Sequence, residues 1–162
     1  MEIVSSMHVA RCRDGFVVRI VGNVTMRESP IFHEFVVQCF QRPDVTVFVE
    51  LSQCGHVDST FLGCLIELEK RCQSARTQLV IVADESVRMR LLTTAHIDKY
   101  VRCIETCPAN VSEFVALEVT QIDARELGRH VMQSHRALAD LGEKDAATFR
   151  SIADQLAKEI GE

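Results

Sequence analysis

No stretch of the chain approaches the roughly 18 uninterrupted apolar residues of a membrane span, although 47% of its residues are hydrophobic. The opening segment, Met1 to Met7, lacks a basic region followed by an apolar run, so no secretory leader is expected there. Without a secretory context the Asn23-Val24-Thr25 sequon is set aside, and the expected compartment is the cytoplasm. No basic stripe runs along any expected helix, and the net charge is −5, so the electrostatic footprint of nucleic-acid binding is missing. Glycine is scarce: seven residues, all dispersed, leave no Gly-rich loop to cradle a phosphate. No Gly-x-Ser-x-Gly elbow occurs, which removes the commonest serine-hydrolase signature.

The seven cysteines never form a Cys-x-x-Cys pair, and their number is odd. Cys39 and Cys64 lie within apolar runs, where a free thiol behaves as a small hydrophobe. Cys103 and Cys107 stand four apart with no second ligand pair, so no metal site is expected, and the cysteines read as reduced core residues. His56 near Asp58 and Ser59 suggests a nucleophile triad only superficially. Neighbours in sequence rarely meet triad geometry, in which the base is held across a cleft by a third group. His130 and His135 are five apart, which does not align two ligands on one helix face, and both read as solvated. Glu28, Glu34, Glu67 and Glu69 read as solvated faces or ion-paired rims. No catalysis and no cofactor are expected.

What is present is a regular alternation. Met7–Cys12 alternates, Arg13-Asp14-Gly15 supplies a turn, and Phe16–Val21 is β-branched and apolar, which gives a hairpin with a strand break expected at Gly22-Asn23. Ser29-Pro30 opens a helix with Ile31, Phe35, Val36 and Cys39 at helical spacing, ended by Arg42-Pro43-Asp44. Thr46–Leu51 is a nearly all-apolar strand of the kind covered on both faces, followed by an expected loop from Ser52 to His56. The run Phe61–Leu68 is apolar almost all round, so its helix should be buried, with Lys70 and Arg71 at its solvated end. Thr77–Val82 is a further buried strand, Asp84-Glu85-Ser86 caps a short helix, and Val101–Ile104 is a last strand. Beyond Asn110 the pattern reads as helical to the end: one helix from Ser112 with Phe114, Leu117 and Val119, then two more separated by Gly142. The expected fold is α/β, a mixed sheet of about five strands with packed helices, in a domain over 1–119. Residues 120–162 form a helical extension whose apolar stripes must pack on the sheet domain, on a second copy or on a partner.

Asp58-Ser59-Thr60 carries the functional expectation. Asp and Ser are both strong N-caps, and one side-chain oxygen suffices, so plain capping is the simplest account. A hydroxyl at a helix N-terminus is also well placed for phosphorylation, because free amides and the dipole hold the phosphate. The modification adds about −1.5 to −2 charges, enough to turn a nearly neutral contact surface anionic beside Asp58.

The order of these elements resembles the STAS domain of anti-sigma-factor antagonists: strand, loop, Asp58-Ser59-Thr60, apolar Leu62-Gly63 helix, strand, the Asp84–Leu92 helix and strand, over about residues 7–119. That resemblance implies a non-catalytic regulator of a bacterial partner-switching pathway. Ser59 would be the phosphoacceptor and Thr60 a second hydroxyl. The implied partners are an anti-sigma factor that is also a GHKL-type serine kinase, and a phosphatase that resets Ser59. It places partner contacts at Asp58, Ser59, Thr60, Phe61, Asn23 and Thr25, together with the exposed edge of the helix that Ser59, Thr60 and Phe61 begin. Phe61 stands where the family often has glycine, and Gly22-Asn23-Val24-Thr25 lacks the aspartate of the family's Gly-x-Leu-Asp. Two rival readings remain: a STAS subunit of a transporter or sensory complex with Ser59 only a cap, and a sensor with a small-molecule pocket. The extension is expected to pack within the chain or to form a homodimer.

Overall fold

The computed structural model describes residues 5–74 and 76–162; Met1–Val4, in the segment read for a leader, lie outside the described residues. Strand β1 (Ser6–Cys12) turns through Arg13-Asp14 into β2 (Gly15–Val24), with Cys12 opposite Gly15 and Ser6 opposite Val21. At Gly15, φ is +153°, and a Cβ would lie within 3.0 Å of the Thr46 backbone, so glycine is required at this turn. The break expected at Gly22-Asn23 is instead an irregularity inside a continuing strand. Gly22 takes φ +83°, the register with the next strand shifts there, and pairing resumes at Asn23 and Val24.

Helix α1 (Ser29–Cys39) starts with Pro30 in its first turn, where a missing amide costs nothing. Strand β3 (Thr46–Val57) is longer than expected: the segment Ser52–His56 is strand and not loop, because it stays paired with β2 after its other neighbour has ended. Helix α2 (Ser59–Ser74), strand β4 (Gln78–Val82), helix α3 (Glu85–Leu91) and strand β5 (Arg102–Ile104) follow. Asp84 caps α3 as expected, its carboxylate accepting from the Val87 amide at 2.8 Å.

Residues from Ser112 do not begin a helix. They lead into a sixth strand, β6 (Val115–Leu117), which pairs antiparallel with β1 through Val9, His8 and Met7. Backbone hydrogen bonds to an open sheet edge outweigh a helical spacing only a few residues long. The sheet order is β5-β4-β3-β2-β1-β6, parallel from β2 to β5 and antiparallel at β1 and β6, which makes it a mixed sheet.

The helices build the main core on one face, where Phe32, Val36, Phe61, Leu65, Leu68, Leu91 and Leu92 meet Val18, Ile20, Val49, Leu51 and Ile81. On the other face Val17, Phe48, Val80 and Val82 are covered by Cys107, Val111 and Phe114 of the segment after β5. Arg19 is laid over the Phe114 ring at 4.0 Å and paired with Glu50 at 2.7 Å.

The chain ends in the expected helical hairpin, α4 (Ala124–Ala139) and α5 (Ala146–Ile160). Asp123 caps α4 through the Glu126 amide, and Gly161 closes α5 in the left-handed region at φ +79°. The hairpin has a small core of its own, Met132 with Ala153 and Ala157, and α4 lies along α2.

Candidate functional site

The start of α2 is fixed by Asp58, whose two carboxylate oxygens do different work. Oδ1 accepts from the Phe61 amide at 2.9 Å, the usual N-cap bond, while Oδ2 accepts from the Met26 amide at 2.8 Å. The second bond ties the turn between β2 and α1 to the start of α2. The Asp58 amide also donates to the Val24 carbonyl, so the ends of β2 and β3 close on the same point. Thr25 shapes that turn: its hydroxyl accepts from the Arg27 amide and donates to Glu28. Glu28 is buried, not solvated as expected, and burial pushes its carboxyl up, against a smaller lowering from Thr25 and Arg27. Asn23 lies on β2 opposite His56 of β3, two residues before Thr25.

Because Asp58 satisfies the cap, the Ser59 hydroxyl is left for another use. Its Oγ lies 3.1 Å from His135 Nε2 on α4, and His135 Nδ1 lies 2.7 Å from the Val131 carbonyl. A carbonyl only accepts, so Nδ1 carries the ring proton. In the neutral ring Nε2 is then the acceptor for the Ser59 hydroxyl. A Ser–His contact therefore exists here, but its histidine is not His56, which is exposed and belongs to the strand.

Two of the residues expected at a partner surface are inside. Thr60 is 3% exposed and Phe61 is fully buried, its ring 5.0 Å from Phe32 of α1. A benzyl side chain one turn into a helix facing the sheet gains far more by burial than it could at a rim. Asp58, Ser59, Asn23 and Thr25 are only half-buried and remain close to the surface at the ends of β2 and β3.

The expectation of solvated histidines on α4 is corrected as well. His135 is 4% exposed, and His130 Nε2 lies 2.7 Å from the hydroxyl of Ser29, itself fully buried. Burial pulls the His130 ring down to about 4, helped by the neighbouring charge of His33 and opposed by Glu67. Glu67 is held below the usual carboxylate range: burial pushes it up, but His33 at 2.5 Å and Arg71 at 2.6 Å together outweigh that. Glu69 is pushed up by burial, and Glu34 is exposed. The buried seam is tightest at Gly63, where a Cβ would stand 2.9 Å from Ser134 Cα and closer still to its carbonyl. The available signal was the small-residue spacing of Ser134 and Ala137 on α4, opposite a glycine in an otherwise bulky helix.

Four cysteines, Cys39, Cys54, Cys64 and Cys72, are buried as expected, and burial pushes the Cys39 thiol up to about 11. Among the described residues no group of three His, Cys, Asp or Glu side chains is arranged to hold a metal ion, and no helix is long and apolar enough to cross a membrane.

A family model described as "Mlab, STAS domain" matches residues 7–105, which leaves α4 and α5 outside the match. Among solved structures, an anti-sigma factor antagonist from Mycobacterium paratuberculosis superposes with a TM-score of 0.51 at 15% identity, covering 64% of this chain and 87% of that one. A Thermotoga maritima protein assigned as an anti-sigma factor antagonist gives a TM-score of 0.49 at 22% identity, over 60% of this chain and 85% of that one. No curated protein matches the sequence.

Proposed function

The chain belongs to the STAS-domain family, and from that premise we propose that it is a non-catalytic, cytoplasmic partner-switching regulator, controlled by phosphorylation of Ser59. One observation carries the proposal: Asp58, and not Ser59, caps α2. A serine kept only as a cap would spend its hydroxyl on the N2 or N3 amide. Here that hydroxyl does no capping and bonds His135 instead, at the positive end of a 16-residue helix, where a phosphate would be held by the first-turn amides and the dipole.

The partner surface in this reading is built from Asp58, Ser59, Asn23 and Thr25. Thr60 and Phe61 support it from beneath. Asp58 sets the relative position of the two loops, so both would meet a partner as one rigid unit. A phosphate beside Asp58 would add about −1.5 to −2 charges, and a docked acidic or apolar surface would be expelled. The partner is an anti-sigma factor with serine-kinase activity of the GHKL type, and a phosphatase resets Ser59. Incubation with such a kinase encoded beside this gene and ATP should yield one phosphopeptide, containing Ser59, absent in Ser59→Ala. Incorporation elsewhere, or none in both the full chain and its His135→Ala variant, would remove the phosphoswitch.

A second reading draws on the bond between Ser59 and His135. A STAS subunit of a transporter or sensory complex could use Ser59 only to seat its helical extension. In that case Ser59→Ala would loosen α4 and leave partner affinity unchanged.

A further inference from the structure

Helix α4 lies on the face of α2 that presents Ser59. The His135 ring is hydrogen-bonded to the Ser59 hydroxyl, and the Ser134 backbone fills the space in front of Gly63. We infer that the α4–α5 hairpin is a built-in competitor that must lift from α2 before a kinase or a partner can reach Ser59. The inference rests on the reading of Ser59 as the contact point, and it adds the regulation of that site.

Three features make the hairpin separable. It carries its own core, with Met132, Ala153, Leu156, Ala157 and Ile160 packed on one another, whereas the main core takes in Ala137 and Leu138, with half-buried Leu141 and Phe149 packed against it. The seam includes polar contacts: Ser59 with His135, Ser29 with His130, and buried Ser134. Outside it, the ion pairs Lys70–Asp140 at 3.7 Å and Lys99–Glu143 at 3.3 Å involve exposed lysines, and such pairs hold weakly in water. The connection is also irregular, although Val119 packs against the main core. Residues 118–123 have no regular structure, and a cleft of about 470 Å³ separates Val119, Gln121 and Ile122 from Met26 and Arg27. Release would therefore expose groups that water can satisfy and leave the sheet core closed, as expected of a segment that opens below the global unfolding energy.

Gly63→Ala is the wedge. Alanine favours the helix at this position, and the three atoms nearest its methyl group all belong to the Ser134 backbone. His135→Ala is the milder variant, removing the ring that lies against position 59 without a clash. The full chain carrying Ser59→Cys is treated with iodoacetamide, labelling of the peptide containing position 59 is followed by mass spectrometry, and amide exchange is recorded on the same samples. The expected result is slow labelling in the Ser59→Cys chain alone, and labelling at least tenfold faster when Gly63→Ala or His135→Ala is added. Amides of α4 and α5 should lose protection while β2, β3 and β4 keep theirs. Unchanged labelling in both combinations, or α4 amides that exchange only together with the sheet, would overturn the competitor. No partner is present in this measurement, so its failure leaves the phosphoswitch standing, whereas failure of kinase labelling at Ser59 removes what the hairpin would compete for and leaves its release from α2 as a separate result.

Discussion

His33 of α1 and His130 of α4 face each other edge to ring across the helical seam, centroids 5.6 Å apart, and only one of them has a carboxylate partner. His33 is paired with Glu67, which Arg71 also holds, while His130 has the Ser29 hydroxyl and is kept neutral by burial.

This asymmetry gives the fold an acid-sensitive seam. The His130 value falls from 6.5 to about 4 on folding, so between those values the unfolded chain binds a proton that the folded chain refuses. Stability from this group is complete above pH 6.5 and is lost as pH falls toward 4, by up to about 3 kcal/mol at ~1.4 per unit. Glu28 and Glu69, pushed up by burial, act in the opposite sense above pH 4.5, and Glu67 adds its loss only below that value. Urea unfolding at pH 7 and pH 5 should show lower stability at pH 5, and His130→Gln should flatten the difference.

Asp58→Ala should destabilise the chain by about 1–3 kcal/mol, since it removes both an N-cap and a second backbone hydrogen bond. Asp58→Asn keeps one acceptor oxygen and should recover part of the loss. Chemical denaturation of the three proteins checks the order.

Phe61→Ala should cost about 3–5 kcal/mol, because the ring is fully buried against Phe32. A residue acting at a partner rim would change stability by less than about 1 kcal/mol. Thermal unfolding of Phe61→Ala separates the two.

Thiol titration of the native protein should divide the cysteines. Cys12, Cys103 and Cys107 are half-buried and should react first, whereas Cys39, Cys54, Cys64 and Cys72 should wait for unfolding. Peptide mapping after partial labelling reads the order directly.

Much of the sheet was legible because its signals are local. The hairpin turn at Arg13-Asp14-Gly15, Ser29-Pro30, the apolar strands at 46–51 and 78–82, and the Asp84 cap each depend on neighbours in sequence. The end of β3 was not legible. Exposed Ser52, Gln53, Gly55 and His56 look like a loop, and only pairing with β2 keeps them extended. β6 is likewise a docking event on β1 that three residues cannot announce. Asp58 and Ser59 were found from capping chemistry, but the roles of His135, Gly63 and Ser134 depend on how α4 crosses α2, a distance of over seventy residues along the chain that periodicity does not reach.

The most direct test of the proposed Ser59 switch is the affinity of the full chain for the proposed anti-sigma kinase, measured by calorimetry with Ser59→Ala and Ser59→Asp. The expected result is tight binding by Ser59→Ala and binding at least tenfold weaker by Ser59→Asp. Equal affinities of the two variants would contradict it.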